Sequence, residues 1–452
     1  MARKAASVFT CAACSAQSPQ WLGRCPECGG WNTLVEEAPP APRAAGQREG
    51  PGARPVPLSG IDSDEIPRLP TGVADFDRVL GGGLVPGSVV LVGGEPGIGK
   101  STLMLQVAAR LAARVGSVLY VTAEESPKQV RMRADRLGTA GTPGLFLLPE
   151  TAVEKILEAA SAGSFGAVVV DSIQTIASET SPGAAGSVAQ VRECAGRLLT
   201  FAKSSDVPVF LIGHVTKDGT LAGPKALEHL VDAVLSFEGE RFHAHRAVRA
   251  LKNRFGPVHE MGLFEMTGAG LVEVANPSSL YLGSGAGTRP GSAVLAAMEG
   301  TRPLLLEVQA LTVEVKYGTP RRTSIGFDAT RLALLLAVLE RHGGLPSGAH
   351  DVFLNFAGGA ASEEPAADLA VAAAVAGSLR TRALPPATVV FGELGLLGEV
   401  RAVSDAALRL KEALALGFRA ALLPAANAAE AAAFPDLQVT PVRSVEELLA
   451  KI

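Results

Sequence analysis

Aromatic residues and cysteines are scarce in this sequence, and each scarcity limits what the chain can encode. Only 5% of the 452 residues are aromatic, whereas 50 are glycine, so we expect cores built mainly from small aliphatic side chains. The cysteines number five, and four of them lie close to the N-terminus. A disulfide framework would distribute its cysteines along the whole chain, so this clustering predicts a reducing, cytosolic environment.

A secretory signal and a membrane span are also lacking. The stretch MARKAASVFTCAAC has no long apolar core of the kind that a signal requires. The longest apolar run, LALLLAVL at 332–339, is too short to cross a bilayer. We therefore expect a cytoplasmic protein without a membrane partner. The formal net charge of -4 excludes a globally basic nucleic-acid-binding protein but leaves room for a local basic channel.

Shifts in composition divide the chain into segments. We predict a cysteine-rich module at 1–35, a flexible linker at 36–59, an α/β domain at 60–275, a second linker at 276–290 and a second α/β domain at 291–452. The first domain alternates strand-like runs, such as SVVLVGG and GAVVVDS, with helix-like segments such as STLMLQVAARLAAR. This alternation predicts a largely parallel sheet covered by helices.

The strongest motif is GEPGIGKST at 94–102, directly after an apolar run. It fits G-x-x-x-x-G-K-[ST], in which glycines let backbone N–H groups converge on phosphate oxygens at the positive end of a helix. We expect Lys100 to reach the β- and γ-phosphates of ATP and the Ser101 hydroxyl to bind Mg²⁺. The predicted nucleotide-binding residues are Gly94, Glu95, Pro96, Gly97, Ile98, Gly99, Lys100, Ser101 and Thr102.

Carboxylates at the ends of two other predicted strands would complete a hydrolytic site. Asp171 ends the run AVVVD, where it can hold the water shell of Mg²⁺. Glu124 and Glu125 follow the run VLYVTA, and either can orient a water molecule beside the γ-phosphate. The sequence leaves open which of the two is the base, because a solvated acidic cap on the next helix explains one of them equally well.

Polar residues near the ends of later strands are further candidates. His214 ends VPVFLIGH and can sense the γ-phosphate, although a histidine satisfied at a strand edge is the simpler interpretation. The segment LKNRFGP places Lys252 and Arg254 on one face of a strand. These two cations can neutralise transition-state charge at a neighbouring subunit's nucleotide, line a DNA groove or belong to a solvated strand edge.

The N-terminal module has the cysteine spacing of a zinc site. Two C-x2-C pairs are separated by ten residues in CAACSAQSPQWLGRCPEC, and two such pairs can hold one tetrahedral Zn²⁺. A redox pair is the alternative, but the ribbon-like spacing argues against it. A module this small depends on metal binding for its folding free energy. We expect Trp21 and Trp31 to pack within it and not to stack on nucleic-acid bases. The predicted zinc ligands are Cys11, Cys14, Cys25 and Cys28.

Together these motifs resemble one protein family. The segments TGVADFDRVLGGG, GEPGIGKST, YVTAEES, VVVDSIQT, GHVTKDG and above all LKNRFG resemble the bacterial RadA (Sms) family of DNA repair proteins over essentially the whole chain. The resemblance implies an α/β fold: a RecA-like P-loop ATPase core with an N-terminal four-cysteine zinc ribbon and a C-terminal domain like that of Lon protease. The phosphate motifs alone fit many ATPases, so LKNRFG is the specific element.

The resemblance also implies a function. It implies a hexameric ring, related to RecA and to DnaB-type helicases, that hydrolyses ATP on single-stranded DNA. It further implies branch migration of branched recombination intermediates together with RecA recombinase. In the related helicases a lysine and an arginine two residues apart reach the neighbouring subunit's ATP, and Lys252 and Arg254 match that pattern. The segments near 178–188 and 216–227 correspond to the DNA-facing loops of RecA-like proteins.

The Lon-like part departs from the protease pattern. Ala366 occupies the position of the nucleophilic serine, and the catalytic lysine position falls near Ala407. Without a hydroxyl and an amine base, acyl transfer has no nucleophile, so we expect no peptidase activity. Two alternatives from other classes stay open. One is an ATP-dependent protease, and the other is a nucleotide-switched scaffold resembling KaiC, which shares the ATPase core.

Overall fold

A computed structural model describes most of the chain as two compact units. The described residues are 8–11, 17–18, 20–26, 29–31, 33–37, 67–214, 225–239, 245–258 and 260–452. The first unit comprises Met1–Glu273 and the second Val274–Ile452. Among the described residues, none of the helices combines the length and the apolar character that crossing a membrane would need.

The N-terminal module contains a small antiparallel sheet. Its core consists of the buried residues Cys11, Cys25 and Leu34. The strands lie in the order β2-β1-β3. Their bounds are β1 Val8–Cys11, β2 Gln17–Ser18 and β3 Leu34–Glu37.

Both tryptophans of the chain lie on the surface of this module. Trp21 is 54% exposed and Trp31 is 72% exposed, so the expectation that they pack inside the module is wrong. Among the described residues of the module, the buried core consists of two cysteines and one leucine, which leaves little room for an indole ring. The Arg24 guanidinium instead lies 5.8 Å from the centroid of the Trp31 ring, within the range of a cation–π contact.

The α/β core of the first unit is built on a nine-stranded sheet. Strands β9, β4, β8, β7, β5 and β6 are parallel to one another, and β10, β11 and β12 extend the sheet beyond β9 in antiparallel fashion. The prediction of a largely parallel sheet covered by helices is therefore confirmed. The elements are α1 Ala74–Val79, β4 Val89–Gly94, α2 Lys100–Val115, β5 Val118–Thr122, α3 Pro127–Arg136, β6 Leu145–Pro149, α4 Val153–Ala162, β7 Ala167–Asp171, α5 Val188–Ser205, β8 Val209–His214, α6 Lys225–Leu230, β9 Ala233–Glu238, β10 His245–Asn253, β11 Met261–Thr267 and β12 Gly270–Glu273.

Helices cover both faces of this sheet, so its central strands are buried on both sides. In β4, Val90 and Val92 belong to the core that contains α2, whereas Val89 and Leu91 belong to the core that contains α4 and α5. This division follows from the period of two along a strand. It also explains why the strands read as continuous apolar runs. The carboxyl ends of the parallel strands are thereby fixed along one edge of the sheet.

The second unit is an α/β domain around a seven-stranded sheet of order β15-β16-β14-β13-β17-β20-β21. Its helix α8 is buried from its first residue to Gly377, so it forms the centre of the domain. The elements are β13 Ser292–Glu299, β14 Arg302–Glu314, β15 Arg322–Ile325, α7 Ala329–Arg341, β16 His350–Phe356, α8 Ala367–Arg380, β17 Thr388–Val390, β18 Glu393–Leu394, β19 Val400–Arg401, α9 Ala406–Ala415, β20 Ala420–Pro424, α10 Ala428–Ala431, β21 Gln438–Val442 and α11 Val445–Leu449.

The two predicted linkers differ in how much of each the structure describes. Of the segment 36–59, the first two residues belong to β3 and the others lie outside the described residues. The segment 276–290 begins with a short 3-10 helix, Pro277–Leu280. Its Ser278 is fully buried, accepts a hydrogen bond from the Leu305 N–H at 3.0 Å and donates one to Glu412 at 3.0 Å. The start of this segment is thus packed within the second unit.

Candidate functional site

The loop between β4 and α2 has the backbone of an anion cradle. Gly97 and Gly99 have φ angles of 78° and 117°, a region that favours glycine. A Cβ on Gly94 would lie 2.7 Å from the carbonyl oxygen of Phe237, so only glycine fits there. Helix α2 begins at Lys100 and has no side-chain cap at its N-terminus. Its first N–H groups therefore point toward the loop, where they can bind phosphate.

Lys100 is buried at the base of this loop. Its ammonium donates to the carbonyl oxygens of Gly94 and Glu95 at 2.7 and 2.9 Å and lies 3.2 Å from Nδ1 of His214. Burial lowers the pKa of Lys100 to about 8, although the carboxylates of Asp171, Glu124 and Glu95 oppose that shift. An arriving phosphate would raise the pKa of Lys100 again, because it adds negative charge beside the buried ammonium.

Asp171 lies at the carboxyl end of β7, next to the first turn of α2. The hydroxyl of Tyr120 donates to its Oδ2 at 2.7 Å, and the Ser101 side chain lies near enough to the same carboxyl group to lower its pKa. Burial raises the pKa of Asp171 and outweighs these two contacts, which lower it. A hydroxyl beside a carboxylate is a donor set that suits Mg²⁺, so Ser101 and Asp171 fit the predicted magnesium site.

The two candidate bases face different partners. Glu124 accepts hydrogen bonds from Ser172 and, at 3.2 Å, from Nε2 of His214. The hydrogen bond with His214 is the largest cause that lowers the pKa of Glu124, so this carboxylate is ionised at neutral pH. Glu125 instead forms an ion pair with Arg133 of α3, with 2.5 Å between the nearest nitrogen and oxygen. The structure brings Glu124 to the phosphate loop and directs Glu125 into an ion pair beside it.

His214 connects the lysine to the glutamate. The Lys100 ammonium has no acceptor capacity, so the Nδ1 atom beside it must accept and Nε2 must carry the proton. That proton points at Oε1 of Glu124. In the register of the sheet His214 is level with Gly94, which places it beside the phosphate loop. The sequence pattern gave only weak support for a functional role of His214, whereas the structure places it between Lys100 and Glu124.

Lys252 and Arg254 both lie against residues 228–232, which are the end of α6 and the turn that follows it. The Lys252 ammonium donates to the carbonyl oxygens of Glu228 and Val231 at 2.6 and 2.7 Å, and burial lowers its pKa with the Arg254 charge as a second cause. Arg254 lies 3.4 Å from the buried carboxylate of Asp232 and keeps about half of its side chain exposed. The register shifts between residues 250 and 252, and the strand ends before Arg254.

This turn is at the opposite edge of the sheet from the phosphate loop. Phe237 of β9 is level with Gly94 of the loop. Val234, three residues earlier in β9, is level with Lys252 of β10. Three residues of strand span about 10 Å, and the contacts of Lys252 and Arg254 lie farther along still, before β9 begins. Neither cation therefore reaches the phosphate loop of its own chain.

The two predicted DNA-facing segments are described to different extents. Near 178–188, the buried amide of Gln190 accepts from the Ser178 N–H at 2.8 Å and donates to the carbonyl oxygens of Ser178, Ser181 and Gly183. This amide holds the segment in one conformation. The other segment, 216–227, lies mostly outside the described residues, which resume at Lys225.

The predicted zinc ligands are also only partly described. Cys11 and Cys25 are each 1% exposed and lie in one core, as two members of a shared metal site would. Cys14 and Cys28 lie outside the described residues. In the described part of the chain no group of three or more metal-binding side chains is found.

The second unit holds a buried ion pair near the position where a Lon-like nucleophile would lie. Ala366 is 1% exposed at the start of α8, and Ala407 belongs to α9. Arg409, also in α9, is fully buried. It donates to the Ala296 carbonyl oxygen at 2.6 Å and binds Glu364 with both terminal nitrogens. The two alanines offer neither a hydroxyl nor an amine for acyl transfer.

Two residues of the site have no clear signal in the sequence pattern. Tyr120 reads only as part of an apolar strand, although its hydroxyl bonds Asp171. Arg246 is nine-tenths buried and donates from Nε to the carbonyl oxygen of Ile98 in the phosphate loop at 3.1 Å. It also lines a cavity of about 280 Å³ with Glu95 and Gly97. A hydroxyl inside an apolar strand could have pointed to Tyr120, but nothing in the sequence places Arg246 beside the loop.

Two family models match the chain. A family described as "AAA domain" matches residues 73–220, the part of the chain that contains the phosphate loop, both glutamates, Asp171 and His214. A family described as "Rubredoxin metal binding domain" matches residues 9–36, which include all four predicted zinc ligands. The first match supports ATP binding and hydrolysis, and the second supports zinc binding.

Curated relatives named "DNA repair protein RadA" match over nearly the whole chain. The Bacillus subtilis protein is 48% identical over 451 residues, which cover 99% of this chain and 98% of the relative. The Pseudomonas aeruginosa protein is 51% identical over 449 residues, with the same coverage. The Aquifex aeolicus protein is 46% identical over 443 residues and covers 98% of each chain.

Among solved structures, the "ATPase Domain of G40P" is similar to 47% of this chain and 93% of its own, with 15% identity and a TM-score of 0.40. The curated relatives are far closer in sequence, and their matches extend through both units. Identity of this level over nearly the full length of both partners, joined to the phosphate-loop site described above, shows that the chain belongs to the RadA family of bacterial DNA repair proteins.

Proposed function

We propose that this protein is a DNA-dependent ATPase of recombinational repair that hydrolyses ATP at the junction of two subunits in a ring, most simply a hexamer. One observation carries the proposal. The nucleotide half-site lies at one edge of the central sheet, whereas Lys252 and Arg254 lie at the other. A head-to-tail assembly would bring these two edges together, and such heterologous contacts form a ring when the rotation between subunits closes.

The roles of the half-site residues follow from their positions. The N–H groups of the loop 94–99 and of the first turn of α2 would bind the phosphates of ATP, and Lys100 would move from its carbonyl partners to the β- and γ-phosphates. Ser101 and Asp171 would hold Mg²⁺, which neutralises phosphate charge when bound. Glu124 would orient the attacking water, and His214 would hold Glu124 in place.

The neighbouring subunit would supply the remaining positive charge. Arg254 has about half of its side chain exposed, so it is able to extend to another chain. Lys252 precedes Arg254 by two residues and is held by the carbonyl oxygens of Glu228 and Val231. Cations inserted from a neighbour stabilise the charge that develops on the transferred phosphoryl group, and their removal slows hydrolysis by large factors.

The nucleic acid and protein partners rest on the family resemblance. We propose that the ring encloses single-stranded DNA through the segments near 178–188 and 216–227. Its movement would then drive branch migration of branched intermediates together with RecA recombinase. The anchoring of 178–188 by Gln190 supports a preformed contact surface there. The zinc ribbon, held by Cys11, Cys14, Cys25 and Cys28, would be a separate contact module.

The second unit would serve assembly or duplex binding and would not cleave peptides. Ala366 and Ala407 lack the groups that a serine–lysine mechanism requires. This argues against the ATP-dependent protease. The nucleotide-switched scaffold differs from our proposal in one measurable property, because its ATPase rate would not depend on single-stranded DNA.

The test measures ATP turnover across a range of protein concentrations, with and without single-stranded DNA, alongside the mass of the particle by light scattering. We expect strong stimulation by DNA and turnover that appears together with the oligomer. Arg254→Ala should abolish turnover while ATP binding persists. Arg249→Ala, which removes a cation of the same strand that is paired with Glu238, should retain turnover. Full turnover by an isolated subunit would contradict the proposal.

A further inference from the structure

A phenol hydroxyl lies inside the core of the ATPase unit, and its only described partner is a functional carboxylate. Tyr120 is 1% exposed and is among the largest fully buried side chains of the chain. A hydroxyl taken out of water destabilises the fold unless it finds a hydrogen-bond partner. The partner here is Oδ2 of Asp171, at 2.7 Å.

The register of the sheet sets this contact. Tyr120 of β5 is level with Val169 of the neighbouring strand β7. Asp171 is two residues beyond Val169 and therefore points to the same face of the sheet, which α2 covers. The phenol is long enough to span this diagonal. Ser101, in the first turn of α2, lies near the same carboxyl group and is a further cause that lowers its pKa, so Asp171 lies between the sheet and the start of the helix.

Open space borders one side of the Tyr120 ring. Tyr120 borders a cavity of about 250 Å³ that is also lined by Leu105, Val130 and Leu145. The hydrogen bond to Asp171 is the polar contact that anchors the hydroxyl end of the ring. Because a hydrogen bond orients both partners, it also fixes the rotation of the Asp171 carboxyl group.

We propose that Tyr120 is a positioning residue of the nucleotide site: by donating to one oxygen of the Asp171 carboxylate, it fixes the orientation of the group that would hold a divalent cation together with Ser101. This inference rests on the proposed function, in which Asp171 and Ser101 hold Mg²⁺ with ATP. Outer partners of metal-binding carboxylates orient the ligands, and their loss typically weakens metal affinity by 10- to 100-fold. Tyr120 contacts neither nucleotide nor metal itself and acts through Asp171.

The test is Tyr120→Phe, which removes one oxygen atom and keeps the ring. We expect the affinity for ATP in the absence of divalent cations to stay unchanged. The Mg²⁺ concentration for half-maximal ATP turnover should rise about tenfold, as should the dissociation constant of Mn²⁺ measured by electron paramagnetic resonance on the ATP complex. At saturating Mg²⁺ the turnover rate should return to near the wild-type rate.

Val169→Ala is the matched control. It is level with Tyr120, equally buried and in the same core, but it makes no hydrogen bond to Asp171. This variant should lower the melting temperature without changing the Mg²⁺ requirement. Equal shifts in both variants would mean that any loosening of this core disturbs the metal site, and the inference would be overturned.

A measurement on the wild-type sequence covers the case in which Tyr120→Phe fails to fold. The chain contains three tyrosines, so incorporation of 3-fluorotyrosine gives few ¹⁹F resonances, which Tyr→Phe changes at positions 281 and 317 assign. We expect the Tyr120 resonance to shift when Mg²⁺ is added to the ATP complex. A resonance that does not move, or a Tyr120→Phe protein with an unchanged Mg²⁺ requirement, overturns the inference but leaves the proposed function intact. Failure of the wild type to bind ATP with Mg²⁺ would overturn the proposed function.

Discussion

The two adjacent glutamates allow a sharp test of the catalytic geometry. Glu124→Gln and Glu125→Gln are the same chemical change at neighbouring positions, yet the structure predicts different outcomes. Glu124 faces the phosphate loop and is hydrogen-bonded to His214 and Ser172. Glu125 is turned to Arg133. The first change should remove a catalytic base, and the second should remove an ion pair.

The magnitudes separate the two cases. Loss of a general base slows hydrolysis by about 10²–10⁴-fold, which corresponds to about 3–5 kcal/mol of barrier. Glutamine keeps the size of Glu124, so ATP binding should change little. In Glu125→Gln the amide oxygen can still accept from Arg133 but the negative charge of the ion pair is lost, which lowers the free energy of unfolding by about 1 kcal/mol or less and leaves most of the turnover.

The assay combines steady-state ATP turnover with single-stranded DNA, ATP binding by equilibrium titration and thermal unfolding. Because hydrogen bonding lowers the pKa of Glu124, wild-type turnover should persist as the pH falls from 7 toward the pKa of an ordinary glutamate, and should decline only below it. If Glu125→Gln abolishes turnover at unchanged stability while Glu124→Gln keeps it, the assignment of the base is wrong.

The other predictions concern the charge of Lys100, the buried ion pair of the second unit and the predicted zinc site. Since burial lowers the pKa of Lys100 to about 8 and phosphate restores its charge, ATP binding should take up protons at pH 8 to 9 but not at pH 6.5; calorimetry in buffers of different ionisation enthalpy checks this. Arg409→Ala should lower the free energy of unfolding of the second unit by about 3–5 kcal/mol, as measured by denaturant unfolding. The double variant with Glu364→Ala should lose less stability than the sum of the two single variants, because no isolated charge then remains. Zinc removal by a chelator should change the emission of Trp21 and Trp31, the two tryptophans of the chain, while the ATP-stabilised unfolding transition stays in place.

The phosphate site could be anticipated because its signals are local. A strand, a glycine loop and a helix follow one another within the run from 89 to 115, and the glycine positions are those where the backbone needs them. Asp171 and His214 could be placed near the loop by a topological rule, since the carboxyl ends of neighbouring parallel strands meet at one edge. The α/β fold class followed from the same alternation.

The other features of the site depend on side-chain direction and on strand register, which no local sequence pattern encodes. Glu124 and Glu125 are adjacent and chemically identical, and only the position of Arg133 on α3 decides which one turns away. Lys252 and Arg254 were expected on one strand face. A register shift at residues 250–252 and the contacts with the turn before β9 determine where they lie. The exposure of the tryptophans reflects the small interior of the zinc module, which composition alone does not reveal.

The measurement that tests subunit-shared catalysis most directly is the activity of mixed assemblies. Lys100→Ala subunits lack a working nucleotide site but keep Arg254, and Arg254→Ala subunits have the opposite defect. We predict that each variant alone is inactive with single-stranded DNA. An equal mixture, after dissociation and reassembly, should recover about a quarter of the wild-type turnover, because about a quarter of the junctions then join an intact site to an intact arginine. A mixture that stays as inactive as its components, although the subunits are shown to co-assemble, would contradict catalysis across the junction.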